Sequence, residues 1–306
     1  MIAPMLPLYV ARLGGTAVPV AALAGTLGAL YAAMQLISGP VLGALSDRHG
    51  RRPVLLACVV GTIVSFALLA TVHTLPALFL AVLLDGLTGG NLTTAYAVVA
   101  DVSPPAQRAH SLALAGAAFG LGVMLGPALG GFVSEWGIYA PAQLALTLAT
   151  LNVAIGLLAL PESLPAERRT AARANAPGGF GLPLPVLSMR GMGWLLGAMF
   201  AANLAFAGLQ SNFPLFSLLR FGWSPRETGY FFAFVGLCAV VTQGVVLRSL
   251  QPRLGDTRMV LGGLACMAAG LAAIGLASAG WQLFPVTALA ALGSGLSLPT
   301  LSARAS

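Results

Sequence analysis

The sequence has 306 residues, of which 58% are hydrophobic and only 8% are charged, with a formal net charge of +7 at pH 7. Soluble domains carry about 25% charged residues, so this composition excludes an ordinary water-soluble protein and indicates a chain surrounded by lipid. The positive charge does not indicate a nucleic-acid partner, because the basic residues are scattered between long apolar runs.

Long apolar runs repeat along the chain. A helix that crosses a bilayer needs about 20 mostly apolar residues, and nine runs of about that length occur here. They predict membrane spans at residues 18–45, 54–72, 76–100, 109–133, 138–160, 191–218, 228–247, 259–279 and 281–303. A shorter run at residues 1–11 has the length of half a span. The runs are too long for barrel strands, which need about 10 alternating residues, so we expect an all-α membrane protein.

The arginines predict the orientation of these spans. The chain has no lysine, and if the loop at 46–53 is cytoplasmic, twelve of the fifteen arginines fall on the cytoplasmic side. The outer side keeps Arg12, Arg220 and Arg226. Cytoplasmic loops are enriched in basic residues, so this asymmetry supports both the spans and the orientation. We expect a multi-pass protein of the cell membrane, which is the inner membrane in a bacterium.

One long polar stretch divides the chain. Residues 161–190 hold two glutamates, four arginines and five prolines, a composition that does not fit a membrane span. We interpret this stretch as a cytoplasmic linker between an N-terminal helical bundle at 1–160 and a C-terminal bundle at 191–306. Two helical halves are a common plan of secondary transporters.

The loop after the first full span carries the most specific motif. Residues 43–53 read GALSDRHGRRP and resemble the signature G-x-L-[SA]-D-R-x-G-R-[RK] between the second and third helices of major facilitator transporters. The resemblance implies a cytoplasmic gate formed by Gly43, Asp47, Arg48, Gly50, Arg51, Arg52, Asp101 and Arg108. In that family, the residue matching Arg51 pairs with an acidic residue at the inner end of the fourth helix, here Asp101. A solvated turn whose arginines only set the topology is the alternative.

A second motif lies in the span at 109–133. Residues 122–131 read GVMLGPALGG and resemble the G-x-x-x-G-P-x-x-G-G motif in the fifth helix of proton-driven antiporters of the same superfamily. The matching residues are Gly122, Gly126, Pro127, Gly130 and Gly131. Small residues let helices approach closely, and a proline favours a bend because it removes a backbone donor. The resemblance implies a bending interface between two bundles, and ordinary helix packing is the alternative.

Shorter segments are similar to the tetracycline-resistance-type drug:proton antiporters. They read LDGLTGGN at 84–91, LPESL at 160–164 and RFGWS at 220–224. Proteins of this type have twelve helices, so the resemblance implies about ten here, with the first helix incomplete and the last two missing. The residue matching Asp47 faces the eleventh helix in the family. One departure is Val82, where many members carry an arginine.

Asp85 is the only acidic residue placed well inside an apolar run. An ionisable group in a membrane span is costly and marks a candidate functional site. Asp85 is therefore a candidate for binding protons or substrate, and a structural carboxylate, either protonated or hydrogen-bonded to Thr88, is the alternative. Further polar candidates for lining a substrate cavity, each equally open to a packing role, are Tyr31, Gln35, Asn91, Gln210 and Asn212.

The resemblance implies a secondary transporter that exports a small, drug-like molecule in exchange for protons by alternating access. An ATP-driven pump is excluded because the phosphate-binding GxxxxGK[ST] loop requires lysine, and no enzyme motif appears. The three histidines lack metal-ligand spacing, so we expect no metal and no cofactor beyond the proton gradient. The expected partners are the lipid bilayer, protons and a small-molecule substrate. A non-transporting fragment of such a transporter, and a metabolite or sugar exporter of the same fold, are the alternatives.

Overall fold

The computed structural model describes residues 5–14, 19–167, 169–170, 192–242 and 246–305, and this part of the chain contains helices and turns but no strands. The helices are α1 (Leu6–Gly14), α2 (Val20–His49), α3 (Arg51–Ala70), α4 (Leu75–Gly89), α5 (Leu92–Val102), α6 (Arg108–Val133), α7 (Ala140–Ala159), α8 (Met192–Phe221), α9 (Pro225–Val241), α10 (Leu247–Leu276) and α11 (Leu283–Ala305). The predicted all-α fold is confirmed.

Several helices have the length and composition of membrane spans. Six of the described stretches qualify: Val20–His49, Arg51–Ala70, Leu75–Val102, Leu114–Trp136, Ala140–Ala159 and Thr257–Leu276. Large apolar side chains on them point outward, with Leu36 77%, Leu158 90% and Leu276 82% exposed. A water-soluble protein does not cover itself in this way, so these surfaces face lipid.

The chain divides into two compact units. The first comprises Met1–Gly122 and Val133–Phe180, and the second comprises Val123–Phe132 and Gly181–Ser306. The middle of α6 thus groups with the second unit although its two ends group with the first. Most of the predicted linker, residue 168 and residues 171–190, lies outside the described part of the chain.

The core of the first unit joins α1, α2, α3, α4 and α7. Its fully buried side chains include Tyr9 and Val10 of α1, Leu27 of α2, Leu69 of α3 and Leu78 of α4. Hydrogen bonds between helices add to this apolar packing. A buried hydroxyl without a hydrogen-bond partner is costly. The Ser65 hydroxyl donates to the carbonyl of Ala81 at 2.8 Å and so joins α3 to α4.

The span predicted at 76–100 is one membrane-length stretch, Leu75–Val102, made of two helices. Helix α4 begins at a Thr74 cap, whose hydroxyl accepts from the amide of Ala77, and ends at Gly89. Helix α5 begins at Leu92 after Asn91. Two adjacent glycines weaken a helix because they lose much backbone entropy on folding, which explains why the interruption falls here.

The core of the second unit is aromatic. The rings of Phe213 on α8 and Phe231 on α9 stack with centroids 3.9 Å apart. Phe232, Trp223 and Phe284 pack around them. Helix α9 starts at a capping box in which Ser224 and Glu227 satisfy each other's backbone amides, an arrangement that fixes a helix start.

Candidate functional site

The predicted gate motif forms a tight turn between two helices. Helix α2 ends at His49 and α3 begins at Arg51, so Gly50 alone separates them. Gly50 has φ of +108° and ψ of 152°, a conformation that is accessible almost only to glycine. A β-carbon at this position would meet the carboxylate of Glu162. The turn therefore requires glycine for its backbone angles, and a side chain there would also displace the Glu162 carboxylate.

Arg51 brings together side chains from three parts of the first unit. Its Nη1 lies 2.6 Å from Oδ1 of Asp47 and donates to Oγ of Ser46 at 2.7 Å. Its Nε lies 3.3 Å from Oδ2 of Asp101, in the last turn of α5. The Arg51 side chain is 12% exposed, that of Asp101 19% and that of Asp47 49%. The planar guanidinium can serve several acceptors at once, so one side chain joins α2, α3 and α5.

Glu162 completes this group and was not among the residues singled out from the sequence. Its Oε1 accepts from the backbone amide of Arg51 at 2.9 Å and from that of Leu164 at 3.1 Å. The first residues of a helix have amides without helical partners, and a carboxylate there also meets the positive end of the helix dipole. An acidic residue directly after the span at 138–160 was the available signal. We call Ser46, Asp47, Arg51, Asp101 and Glu162 the Arg51 cluster.

The other residues predicted for the gate lie on α2, α3 and α6. The Arg52 Nη2 donates to the carbonyl of Leu157 on α7 at 2.7 Å. The Arg108 Nε donates to the carbonyl of Ala100 near the end of α5 at 3.1 Å, where a cation also complements the helix dipole. Arg48 lies in the last turn of α2, and a β-carbon at Gly43 would meet open space.

The predicted antiporter motif is unevenly packed. Gly126, Pro127, Gly130 and Gly131 are buried in α6, whereas Gly122 is exposed. At Gly131, a β-carbon would lie 2.6 Å from the α-carbon of Gly229 on α9, and at Gly229 it would lie 2.8 Å from the α-carbon of Gly131. The two backbones are therefore in direct contact within the second unit, which only glycine at both positions permits.

Asp85 lies on α4, beside the closest approach of α4 to α2. At Gly86, a β-carbon would lie 2.8 Å from the carbonyl oxygen of Tyr31. At Gly89, it would lie 3.1 Å from Nε2 of Gln35. These glycines allow the close approach, so the turn of α4 that carries Asp85 packs against the turn of α2 that carries Tyr31 and Gln35. The structure thus brings together three of the predicted polar candidates: Asp85, Tyr31 and Gln35.

A small hydrogen-bond network surrounds this position. The Gln35 Nε2 donates to the Tyr31 hydroxyl and to the carbonyl of Gly89, both at 3.2 Å. The Ser38 hydroxyl donates to the carbonyl of Gly86 at 3.2 Å. Side chains of α2 therefore bind carbonyls at the end of α4, where the carbonyls have no amide partner within the helix.

Thr88 does not hold the Asp85 side chain. Its hydroxyl donates to the carbonyl of Leu84 at 2.9 Å and lies 3.3 Å from the Thr62 hydroxyl. Among the described residues, no donor or cation pairs with the Asp85 carboxylate. The structural alternative of a Thr88-bonded carboxylate is therefore not the arrangement observed.

The remaining candidates do not join this group. Asn91 lies at the interruption between α4 and α5, and its side chain does not cap α5. Asn212 belongs to the second unit, where its Nδ2 donates to the carbonyl of Gly208 one turn earlier at 3.0 Å. Gln210 lies in α8, and its side chain is outside the part of the chain that is described.

Comparison with known proteins finds relatives of this chain among membrane transporters. The tetracycline resistance protein of class C from Escherichia coli is 35% identical over 295 residues, which cover 92% of this chain and 71% of that protein. The class G protein from Vibrio anguillarum is 31% identical over 318 residues and 77% of its own length. The crystal structure of the human organic anion transporter MFSD10 matches with a TM-score of 0.71 and 26% identity, covering 99% of this chain and 80% of that one.

A family model agrees with these similarities across the full sequence. The model described as Major Facilitator Superfamily matches residues 1–306. The all-α fold and the apolar helices of membrane length agree with this match. The chain is a multi-pass membrane protein that belongs to the Major Facilitator Superfamily.

Proposed function

We propose that this protein is a secondary active transporter that exports a small, drug-like molecule in exchange for protons by alternating access. Two of the relatives are named for tetracycline resistance, and moving a compound out of the cell is one way in which a membrane transporter gives resistance. Membership in a transporter family supports the transport step. The direction, the substrate and the coupling ion are the parts that we propose.

The observation that carries proton coupling is the isolated carboxylate of Asp85. It lies ten residues into α4, about 15 Å along the helix at 1.5 Å per residue, and the hydrocarbon core of a bilayer is about 30 Å thick. A charge at that depth is costly. Because none of the described residues neutralises it, a proton is the simplest partner, and release of the proton to the other side would drive exchange.

The Arg51 cluster is our candidate for the cytoplasmic gate. It lies at the ends of α2, α3 and α5 that the arginine distribution predicts to be cytoplasmic. Arg51 lies between the mostly buried Asp101 and the half-exposed Asp47, so breaking the cluster leaves a partly desolvated charge without its partner, at a cost of about 1–3 kcal/mol. A cluster of this strength is suited to favouring one conformation of the transport cycle.

Everted membrane vesicles test the proposal directly. Acidifying the lumen should drive uptake of tetracycline or a fluorescent drug-like dye, and an ionophore that collapses the gradient should abolish it. Asp85→Asn should remove the gradient dependence. The matched control is Glu167→Gln, which makes the same carboxylate-to-amide change at an exposed residue outside the spans. Uptake that persists without a gradient, or an Asp85→Asn variant with normal gradient dependence, would contradict proton coupling through Asp85.

Organic anion transport is the second candidate function. The similarity to MFSD10, which is named as an organic anion transporter, favours it. Anionic dyes supplied outside the same vesicles distinguish drug export from organic anion transport. Gradient-driven uptake of anions alone would replace the drug-export proposal.

A further inference from the structure

Arg52 has no acidic partner, in contrast to its neighbour Arg51. Within the described ranges, its guanidinium makes one hydrogen bond, from Nη2 to the carbonyl of Leu157 at 2.7 Å, and no ion pair. Its Nε is buried there without an acceptor. A guanidinium is always charged and carries five N–H donors. Arg52 therefore holds a partly desolvated positive charge and keeps unused donors on Nη1 and Nη2.

Exposed apolar side chains lead away from this arginine on two helices that touch each other. A β-carbon at Gly156 of α7 would lie 3.0 Å from Cδ2 of Leu56 on α3. On α7 the exposed residues recur at the spacing of one helix face, and on α3 two of them lie one turn apart. They are Leu148, Leu151, Ile155 and Leu158 on α7, and Val60 and Val64 on α3.

The exposed face of α7 has the length of one lipid chain. Leu148 and Leu158 are about 15 Å apart along the helix at 1.5 Å per residue, and one leaflet is half of a hydrocarbon core about 30 Å thick. Leu158 follows Leu157, whose carbonyl receives the bond from Arg52, and α7 ends at Ala159. The positive charge therefore lies at the end of the apolar face, at the depth of a phospholipid headgroup.

We propose that Arg52, together with the exposed face of α7, binds an anionic phospholipid of the leaflet that the arginine distribution predicts to be cytoplasmic. The lipid phosphate binds the guanidinium, whose planar fork of donors matches phosphate oxygens. An acyl chain lies along the exposed face of α7. The inference concerns a site on the lipid-facing surface of the first unit and does not depend on the transport function proposed above.

Net charge decides which phospholipid occupies this site. Phosphatidylethanolamine carries an ammonium group close to its phosphate, which largely cancels the attraction to Arg52. Phosphatidylglycerol has the same phosphate with an uncharged glycerol, so its negative charge is available to the arginine. Basic residues near the membrane surface favour anionic lipids in this way. With identical acyl chains, phosphatidylglycerol should therefore bind more tightly than phosphatidylethanolamine.

Native mass spectrometry of the detergent-solubilised chain with these two lipids measures the selection. Arg52→Gln should weaken phosphatidylglycerol binding about fivefold, the share of one arginine near an anionic surface, and leave phosphatidylethanolamine binding unchanged. Arg52→Lys keeps the charge and should keep most of the preference. The control is Arg258→Gln, which removes an exposed arginine of α10 and should not alter phosphatidylglycerol binding. Free glycerol phosphate should not displace the lipid, and displacement would assign the site to soluble phosphates instead.

Photo-crosslinking locates the acyl chain without any substitution. Phosphatidylglycerol with a photoreactive group on its acyl chain, in nanodiscs, should label peptides of α7 in preference to the equally apolar span Thr257–Leu276. Gel filtration and thermal unfolding establish which variants are folded, and this arm decides the matter if Arg52→Gln is not. Equal binding of the two lipids, an equal loss in Arg258→Gln, or labelling without preference for α7 would overturn the inference.

Discussion

Glu162 and Arg51 are 111 residues apart in the chain, yet the Glu162 carboxylate accepts a hydrogen bond of 2.9 Å from the Arg51 backbone amide. The contact places a negative charge at the first turn of α3, where it complements the helix dipole. The Arg51 side chain meanwhile binds Asp47 and Asp101. One residue thus joins the segment after α7 to the turn between α2 and α3 through its backbone, and α2 to α5 through its side chain.

Two substitutions of Glu162 separate the effect of its charge on stability from the effect of its hydrogen bonds. Glu162→Ala removes the acceptor for the amides of Arg51 and Leu164, so we expect a loss of about 1–3 kcal/mol in the free energy of unfolding. Glu162→Gln keeps an acceptor oxygen and should lose less. Denaturant unfolding in detergent, followed by helix content, measures both. Glu167→Gln, an exposed residue of the same segment, is the control, and an equally large loss there would contradict a specific role for Glu162.

The turn at Gly50 should not accept a side chain. Gly50→Ala forces a residue with a β-carbon into φ of +108° and displaces the Glu162 carboxylate. The backbone strain alone costs about 1–3 kcal/mol. Gly28→Ala is the matched control, because Gly28 lies within α2 and has open space around it. Thermal unfolding of the two variants should differ clearly, and a Gly50→Ala chain as stable as wild type would show that the turn relaxes.

Arg51 and Asp101 should be energetically coupled. Arg51→Lys offers a single ammonium group in place of a guanidinium that contacts Asp47, Ser46 and Asp101, and the two cations are not equivalent at such sites. Once Arg51 is replaced, Asp101→Asn should cost less than in the wild-type chain. A double-mutant cycle on unfolding free energy should give a coupling of about 0.5–3 kcal/mol. Additive effects would mean that Arg51 stabilises the interaction with Asp101 no more than a lysine does.

The two ends of the antiporter motif should respond differently to alanine. Gly131→Ala places a methyl group against the backbone of Gly229 and should cost about 1–3 kcal/mol through overpacking. Gly122→Ala meets open space and should be neutral or slightly stabilising, because alanine favours helices over glycine. Thermal unfolding of both variants checks the contrast. If Gly131→Ala were as stable as Gly122→Ala, the backbones of α6 and α9 would separate easily enough to accept a methyl group.

Sequence reasoning reached the features that are local in the chain. The helical class follows from the lengths of the apolar runs, because every backbone group in lipid must be satisfied within a helix or a closed barrel. The span predicted at 76–100 was found as one element, but its division at Gly90 and Asn91 was missed. The glycine pair that weakens the helix is visible in the sequence, whereas the contacts with α2, including the bond from Gln35 to the carbonyl of Gly89, are not. Periodicity within α4 contains no information about a neighbouring helix.

By itself, the sequence determined the lipid environment and the helices, and it predicted the orientation and the motifs, because each depends on residues that are neighbours in the chain. Only the tertiary structure decided that Glu162 binds the start of α3, that Gly131 meets Gly229, and that Gly86 packs against Tyr31 while the Thr88 hydroxyl bonds to Leu84. These relationships join residues far apart in sequence. Their distances are set by how helices pack, and packing depends on the shapes of all the side chains at each interface.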